Sequence, residues 1–247
     1  MSLDAVDRVA LVTGAGRGLG AGIAQALGRA GYRVAVGFCT SREDAERIAS
    51  GLAGARAFHV DVGDPDSVVA ASSAIRAEMG PIDVLVNNAG IAQERPFLQL
   101  TDADWEHMLS VNLLGAVRCV RQVLPHMLAR NWGRIVNISS IGGQWGGMNQ
   151  LHYAASKAGL INFTRSIAKL HSAQGITSNA IAPGLIATEM SAAELDSEAG
   201  QQKVAGIPAA RLGTVQEIGE TTAFLCSDGA AYITGQTLNL NGGMLFD

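Results

Sequence analysis

The sequence predicts one doubly wound α/β domain, in which helices cover both faces of a seven-stranded parallel sheet. Short runs rich in β-branched residues alternate along the chain with helical stretches. Each short run is nearly continuous in apolar residues, as expected for strands that are buried on both faces. No Pro- or Ser-rich linker and no change of composition divides the 247 residues. We therefore expect residues 1–247 to form a single domain.

Each predicted strand ends in glycine or polar residues, and a helical stretch follows. Asp64 and Pro65 are typical of a helix cap and first turn, and Thr101 with Asp104 resembles a capping box. The predicted strands are residues 9–12, 34–38, 57–60, 82–86, 134–138, 179–181 and 237–240. The predicted helices are residues 19–30, a run beginning near 41, 67–79, a long region after 101–102 that includes 111–128, and 153–170.

The composition excludes several classes of protein. With 48% hydrophobic and 16% charged residues, the chain can bury a core, which argues against disorder. No apolar run reaches the roughly 18 residues of a membrane helix, and the acidic N-terminus is unlike a secretory signal. The net charge of −4 argues against a nucleic-acid-binding domain, because such domains carry an excess of basic residues. The three cysteines are widely spaced and are interpreted as small buried residues, which predicts a protein of the reducing cytoplasm. The five histidines show no metal-ligand spacing, so we expect no metal site.

A glycine loop joins the first predicted strand to the first helix and reads T-G-A-G-R-G-L-G over residues 13–20. Glycines let the backbone turn with positive φ and let a pyrophosphate approach the helix N-terminus, where free N–H groups favour negative charge. The loop opens a strand–helix–strand unit, which is the context of a dinucleotide site. A tight turn without a ligand would also accept these glycines.

The end of the second strand favours NADP(H) over NAD(H). NAD sites place an acid about 20 residues after the loop, where it holds the ribose 2′-hydroxyl. Here the strand ends in Phe38, Cys39 and Thr40, and no acid occurs before Glu43. Arg17 in the loop and Arg42 after the strand are placed to neutralise a 2′-phosphate. Arg42 is equally consistent with a solvated residue at the start of a helix.

Tyr153 and Lys157 form a pair that can move a proton. Four residues apart on a helix, they share one face. A nearby ammonium stabilises the phenolate and lowers the pKa of a tyrosine, which then exchanges a proton with a carbonyl or alcohol oxygen. Ser139 and Ser140 end a strand just upstream, where a hydroxyl could bind the same oxygen.

The order T-G-x-x-x-G-x-G, N-N-A-G, Ser, Y-x-x-x-K and P-G resembles the short-chain dehydrogenase/reductase family over essentially the whole chain. The resemblance implies a Rossmann-type fold and a nicotinamide cofactor. The C-terminal segments around 207–213 and 232–244 are most similar to bacterial 3-oxoacyl-[acyl-carrier-protein] reductases. The segment 132–140 also resembles acetoacetyl-CoA reductases.

The resemblance also implies residue roles. Tyr153 is the general acid/base, Lys157 lowers its pKa and binds the nicotinamide ribose, Ser140 holds the substrate oxygen, and Asn112 anchors a water that links Lys157 to solvent. Asn87 is interpreted as structural and Ser139 as facing the fold. His152, next to the tyrosine, could act as a base, but it is interpreted as a wall or interface residue. The residues implied to bind the cofactor are Gly14, Gly16, Arg17, Gly18, Leu19, Gly20, Phe38, Cys39, Thr40, Asp61, Val62, Asn88, Ala89, Gly90, Tyr153, Lys157, Pro183, Gly184, Ile186 and Thr188.

The expected reaction is reduction of a 3-oxoacyl thioester, carried by acyl carrier protein or CoA, in a homotetramer. The alternative function is an NADP(H)-dependent ketone reductase or alcohol dehydrogenase that acts on a small-molecule substrate of specialised metabolism. Basic residues that help related reductases dock the acidic carrier are replaced by Asn131 and Gln174. However, the chain between Glu106 and Glu189 holds seven Lys or Arg residues and no acid. The expected substrate pocket contains Gln144, Trp145 and Gln150, under an acidic lid at about 190–206.

Overall fold

A computed structural model describes residues 8–187 and 198–246 of the chain. Its main sheet has seven parallel strands in the order β3-β2-β1-β4-β5-β6-β9, so the predicted α/β fold with a doubly wound parallel sheet is confirmed. These strands are β1 (Val9–Val12), β2 (Arg33–Phe38), β3 (Arg56–His59), β4 (Ile82–Asn87), β5 (Gly133–Ile138), β6 (Ile176–Pro183) and β9 (Thr237–Leu240). Two short strands, β7 (Ile186–Ala187) and β8 (Gly213–Thr214), pair separately.

Helices cover both faces of the sheet. They are α1 (Gly18–Arg29), α2 (Arg42–Ser50), α3 (Pro65–Met79), α4 (Asp102–Leu109), α5 (Gly115–Arg130), the single turn α6 (Gly142–Trp145), α7 (Leu151–His171), α8 (Glu198–Ala205) and α9 (Val215–Cys226). Within the described ranges, no helix is both long and apolar enough to cross a bilayer.

Strand β1 shows why its sequence is apolar throughout. Ala10 and Val12 pack into a core on one face of the sheet, whereas Val9 and Leu11 pack into a second core on the other face. The first core contains side chains of α1 and α9, and the second contains side chains of α3, α5 and α7. Because successive side chains of a strand point to opposite faces, a central strand needs apolar residues at every position.

Both predicted helix caps are confirmed. The Asp64 carboxylate accepts a hydrogen bond of 2.9 Å from the Asp66 N–H at the start of α3. Thr101 and Asp104 form a reciprocal capping box at the start of α4. Such caps satisfy the N–H groups that the first helical turn leaves without partners.

The long helical region after Thr101 is interrupted by a π turn at Ser110–Leu114, which separates α4 from α5. Strand β6 is longer than predicted, because its polar residues Thr177, Ser178 and Asn179 are buried within the strand. Residues 190–197 of the predicted lid segment lie outside the described residues, whereas 198–205 form α8.

Candidate active site

A cleft of about 640 Å³ opens where β1, β2, β4 and β5 end. In a parallel sheet, the carboxyl ends of neighbouring strands and the loops that follow them form a crevice that suits a ligand. Sixteen of the residues predicted to bind the cofactor line this cleft. They are Gly14, Gly16, Arg17, Gly18, Leu19, Gly20, Phe38, Cys39, Thr40, Asp61, Val62, Asn88, Ala89, Gly90, Tyr153 and Lys157.

The glycine loop is held against the loop that follows β4. The Asn88 side-chain amide donates to the carbonyls of Thr13 (3.0 Å) and Gly14 (3.1 Å). Gly20 has no room for a side chain, because a Cβ there would lie 2.5 Å from Asn88 Nδ2. No side chain caps the N-terminus of α1. The loop is therefore a cradle whose N–H groups can bind a pyrophosphate, which is what a dinucleotide cofactor requires.

At the far end of the cleft, the residues that follow β2 differ in exposure. Phe38 is buried, 4% exposed, in the core, whereas Cys39, Thr40 and Arg17 are exposed. The prediction of buried cysteines is confirmed for Cys119 and Cys226 and is wrong for Cys39, which the cleft leaves open. Burial and the hydrogen-bonded Asp61 carboxylate raise the pKa of Cys39.

Arg42 is engaged within α2. Its guanidinium lies 3.4 Å from Glu46, one turn further along the same helix, and 5.2 Å from the centre of the Phe38 ring. Both members of the ion pair are exposed, and such pairs exchange partners at little cost. Of the two arginines predicted to meet a 2′-phosphate, only Arg17 lines the cleft.

Tyr153 and Lys157 lie one turn apart on α7 and both line the cleft. The Tyr153 phenol is hydrogen-bonded to Ser140, whose Oγ also accepts the Gly142 N–H at 3.1 Å. Burial raises the pKa of Tyr153, and the hydrogen bond from Ser140 only partly offsets this. The expected lowering of this pKa by Lys157 is not what the structure shows, because the ammonium lies 5.7 Å from the ring centre and burial dominates.

Lys157 is buried and its ammonium donates a hydrogen bond of 2.8 Å to the Ile138 carbonyl. Burial lowers the pKa of Lys157 to about 8, because a charged amine loses hydration inside the protein. Ser139 is buried and its hydroxyl donates to the Lys157 carbonyl at 3.0 Å. Ser139 nevertheless lines the cleft, whereas Ser140, which is hydrogen-bonded to Tyr153, is not one of the residues that line it.

Asn112 lies in the π turn between α4 and α5 and is 2% exposed. Its Oδ1 accepts the Ile91 N–H at 2.8 Å, and its Nδ2 donates to the Ile91 carbonyl and to Ser156 Oγ. The side chain thus ties the loop after β4 to α7. π turns occur often where a functional side chain must point into a site.

Other predicted residues lie outside the cleft. Pro183 ends β6 and Gly184 follows it, one strand beyond Ser139 and Ser140, and Ile186 lines a second pocket beside α9. Thr188 lies outside the described residues. Trp145 is 52% exposed in the single-turn helix α6.

The remaining two residues of the expected substrate pocket, Gln144 and Gln150, do not line the cleft either. Gln144 is partly buried on α6, next to Trp145. The Gln150 amide donates to the Glu94 carboxylate at 3.0 Å, so its side chain lies against the loop after β4.

Sequence reasoning missed several residues of the cleft wall. Most are apolar and lack chemistry that a motif could reveal, although Ile91 and Ala92 directly follow the N-N-A-G motif. His107 and Val111 lie on the helical region beyond Thr101, whose approach to the cleft depends on the tertiary fold. The missed residues are Ser41, Val60, Ile91, Ala92, His107, Val111 and Ile138.

Comparisons with known proteins place this site among reductases. A family model described as enoyl-(acyl carrier protein) reductase matches residues 14–245. The 3-oxoacyl-[acyl-carrier-protein] reductase FabG of Escherichia coli is 43% identical over 238 residues, covering 96% of this chain and 97% of that protein. The acetoacetyl-CoA reductase of Shinella zoogloeoides is 43% identical over 241 residues, covering 98% and 100%. A solved structure of a proposed gluconate dehydrogenase from Agrobacterium tumefaciens has a TM-score of 0.92 at 33% identity, covering 98% and 97%.

Proposed function

The chain belongs to the short-chain dehydrogenase/reductase family, and on that basis we propose that it reduces the ketone of 3-oxoacyl thioesters with NADPH. Its relatives are oxidoreductases that act on CH–OH and C=O groups with a nicotinamide cofactor. The proposal concerns the finer assignment, namely the substrate, the phosphorylated cofactor and the residues that act.

The observation that carries the proposal is the hydrogen bond between Ser140 and Tyr153 at one end of a cleft that begins at a glycine cradle. Two hydroxyl groups side by side can both donate to one carbonyl oxygen. Such donors stabilise the negative charge that develops on this oxygen as the carbonyl carbon is reduced. A nicotinamide bound in the cleft supplies the hydride.

The proton for the new alcohol comes from Tyr153 in this proposal. Because burial raises its pKa, the phenol keeps its proton at neutral pH and can donate it to the alkoxide. The Lys157 ammonium, held by the Ile138 carbonyl and 5.7 Å from the centre of the Tyr153 ring, is assigned to bind the nicotinamide ribose. Asn112 orients the loop at Ile91 and the helix at Ser156 around this pair.

The choice of NADPH is supported by charge at the end of β2. Arg17, Cys39 and Thr40 are exposed there, and no acid lies among the residues that end this strand. A 2′-phosphate would meet the Arg17 guanidinium, and the strand end itself contributes no carboxylate. The Asp61 carboxylate, which is hydrogen-bonded to Cys39, also accepts the Gly63 N–H at 2.8 Å.

The thioester is supported by the names of the two relatives, whereas docking of a carrier protein needs a basic surface. Asn131 and Gln174 precede β5 and β6, at the edge of the sheet opposite Tyr153, so within one chain they lie away from the cleft. Of the seven basic residues between Glu106 and Glu189, four are exposed on α5 and α7, namely Arg121, Arg130, Arg165 and Lys169. We include acyl carrier protein in the proposal as one of two possible carriers of the acyl group.

We further propose a homotetramer in the cytoplasm. Leu114, Leu170 and Phe246 are exposed by 46%, 66% and 82%, which suits burial against other subunits. The three cysteines are free thiols, as expected in a reducing compartment.

The decisive experiment is the initial rate of NADPH oxidation with acetoacetyl-CoA. Parallel reactions replace NADPH by NADH, or acetoacetyl-CoA by crotonyl-CoA, which offers a C=C bond in place of the ketone. Fast turnover with NADPH and acetoacetyl-CoA alone supports the proposal. Turnover of crotonyl-CoA would instead indicate an enoyl reductase, and preference for NADH would overturn the cofactor assignment.

A small ketone is the second candidate, because Trp145 is a bulky half-exposed side chain in the substrate loop. Ethyl acetoacetate carries the same 3-oxo group without the CoA tail. If kcat/KM for this ester equals or exceeds that for acetoacetyl-CoA, the thioester is not recognised and the small-ketone function is favoured.

A further inference from the structure

Buried polar contacts outside the cleft tie the first turn of α7 to α4. His152, directly before Tyr153, has no exposed surface (0%). Its Nε2 lies 2.9 Å from Gln93 Oε1, and its ring packs against Trp105 with 5.9 Å between centroids. Gln93 belongs to the loop after β4, so this contact crosses from the catalytic helix to a different part of the chain.

The hydrogen bonds of Gln93 define the protonation state of His152. Gln93 Nε2 donates to Asp104 Oδ1 at 3.3 Å, so Gln93 Oε1 faces His152 and accepts a hydrogen bond from its Nε2–H. His152 Nδ1 is buried and has no hydrogen-bond partner among the residues that the structure describes. The ring is therefore neutral, with its proton on Nε2.

Asp104 is a firm anchor for this chain of contacts. Its Oδ2 accepts hydrogen bonds from the Thr101 N–H (2.9 Å) and hydroxyl (2.6 Å) and from Arg95 Nη1 (2.6 Å). The bonds from Thr101 are the main reason why the pKa of Asp104 falls to about 2. The carboxylate therefore stays charged, and α4 stays capped, over any ordinary pH.

The anchoring residues on α7 repeat with the same spacing as the catalytic residues. His152 contacts Gln93, and one turn later Ser156 accepts the Asn112 amide at 3.1 Å. Tyr153 and Lys157 each follow an anchor by one residue and line the cleft instead. Residues four apart share a helix face. Through His152 and Ser156, one face of α7 is therefore fixed to the loop after β4 and to the π turn that follows α4. The adjacent face carries Tyr153 and Lys157.

From this arrangement we propose that His152 is a positioning residue, which holds the Tyr153 phenol against Ser140 through Gln93 and Asp104 and does so only as a neutral ring. The inference rests on the proposed function, because it takes Tyr153 as the proton donor. It assigns no direct contact between His152 and the substrate.

The positioning contact is sensitive to acid. Burial lowers the pKa of His152. The Asp104 carboxylate raises this pKa and the Arg95 guanidinium lowers it further. Among the described residues, these two are the charged groups that face the ring. Protonation would place a second N–H where no acceptor is available, which is costly in a buried site. Below the pH at which His152 binds a proton, α7 loses this tie and kcat falls.

The test compares kcat and KM of the wild type with His152→Leu, His152→Gln and, as a control, His126→Gln on α5, at pH 5.5–8 with NADPH and acetoacetyl-CoA. Leucine removes the donor, whereas glutamine keeps an N–H near the Nε2 position and does not titrate. We expect His152→Leu to lower kcat by about tenfold to a hundredfold with little change in the KM for NADPH, since small misplacements of a catalytic group are expensive.

His152→Gln should keep most of kcat at pH 7.5 and lose the fall in kcat that the wild type and His126→Gln show in acid. Wild-type kcat in His152→Leu, or an unchanged acid limb in His152→Gln, would overturn the proposal. If His152→Leu does not fold, Gln93→Leu removes the same bond from the other side. If the wild type does not reduce acetoacetyl-CoA, this result contradicts the proposed substrate but not the role of His152. The same variants are then compared with ethyl acetoacetate as the substrate.

Discussion

The Lys157 ammonium donates a hydrogen bond of 2.8 Å to the carbonyl of Ile138, the last residue of β5. The catalytic helix is thereby joined to the centre of the sheet by a buried charge. A single acceptor replaces only part of the hydration that the ammonium has lost, which explains why its pKa falls to about 8.

This lowered pKa predicts how stability changes with pH. Between pH 8 and the ordinary value of 10.5, the unfolded chain keeps a proton on Lys157 that the folded chain has released. Stability rises with pH wherever the unfolded state binds more protons, so Lys157 destabilises the fold most below pH 8 and progressively less towards pH 10.5. The free energy of unfolding of the wild type relative to Lys157→Met should increase by on the order of 2–3 kcal/mol over this window.

Urea unfolding at pH 7, 8, 9 and 10 measures this difference. Tyr32 and the cysteines titrate in both proteins and cancel in the comparison. A difference that does not change with pH would show that the folded amine titrates normally.

Tyr153→Phe removes the proposed proton donor and little else. We expect kcat to fall by about 10²–10⁴-fold, the usual contribution of a general acid, with NADPH binding nearly unchanged. Fluorescence titration of NADPH and steady-state rates measure the two effects separately. Tyr232→Phe is the matched control, because Tyr232 is fully exposed. Near wild-type rates for Tyr153→Phe would refute the mechanism.

The cofactor preference is best tested at Cys39. Phe38 is unsuitable because an acid there would be buried in the core, whereas Cys39 is exposed in the cleft. Cys39→Asp introduces a carboxylate that repels a 2′-phosphate, and Cys39→Asn has the same size without the charge. The KM for NADPH should be about tenfold or more higher in Cys39→Asp than in Cys39→Asn, while the KM for NADH should not rise. Equal effects on both cofactors would contradict the proposal.

Gly20→Ala tests the cradle. A Cβ at this position would collide with the Gly14 carbonyl and approach Asn88 Nδ2 to 2.5 Å, so the loop must open. We expect NADPH affinity to drop by about tenfold or more and the melting temperature to fall, since overpacking costs about 1–3 kcal/mol. At Gly51, where the nearest atom would be 3.6 Å from a Cβ, alanine should change neither. Calorimetry and NADPH titration of both variants decide the matter.

Much of the fold could be predicted because buried parallel strands need apolar residues at every position. The limits of β1 and β9 are as predicted. Strand β6 was predicted too short because its polar residues find partners only in the folded chain. The predicted strand began at Asn179; the N–H of Ser178, just before it, donates to Thr234 Oγ1 at 3.2 Å. No local pattern reveals such distant partners.

In the candidate site too, contacts within one helix could be predicted from the sequence, whereas contacts between distant parts of the chain could not. The spacing of Tyr153 and Lys157 on one helix was enough to predict that they lie together. The strand end predicted a serine hydroxyl nearby, and the family resemblance selected Ser140 over Ser139. The contact between His152 and Gln93 joins residues 59 positions apart. It depends on how α4 and α7 pack, so neither residue has a spacing that would reveal it.

The π turn at Ser110–Leu114 amounts to one inserted residue in an otherwise continuous helix from Asp102 to Arg130. Deleting one residue there would restore regular α-helical bonding, yet it would rotate one half of the helix by about 100° relative to the other. Asn112 would then turn away from Ile91, or the apolar stripe of α5 would turn away from the sheet. This stretch should therefore accept many substitutions but no single-residue deletion, because its length sets the angular phase between the site and the core.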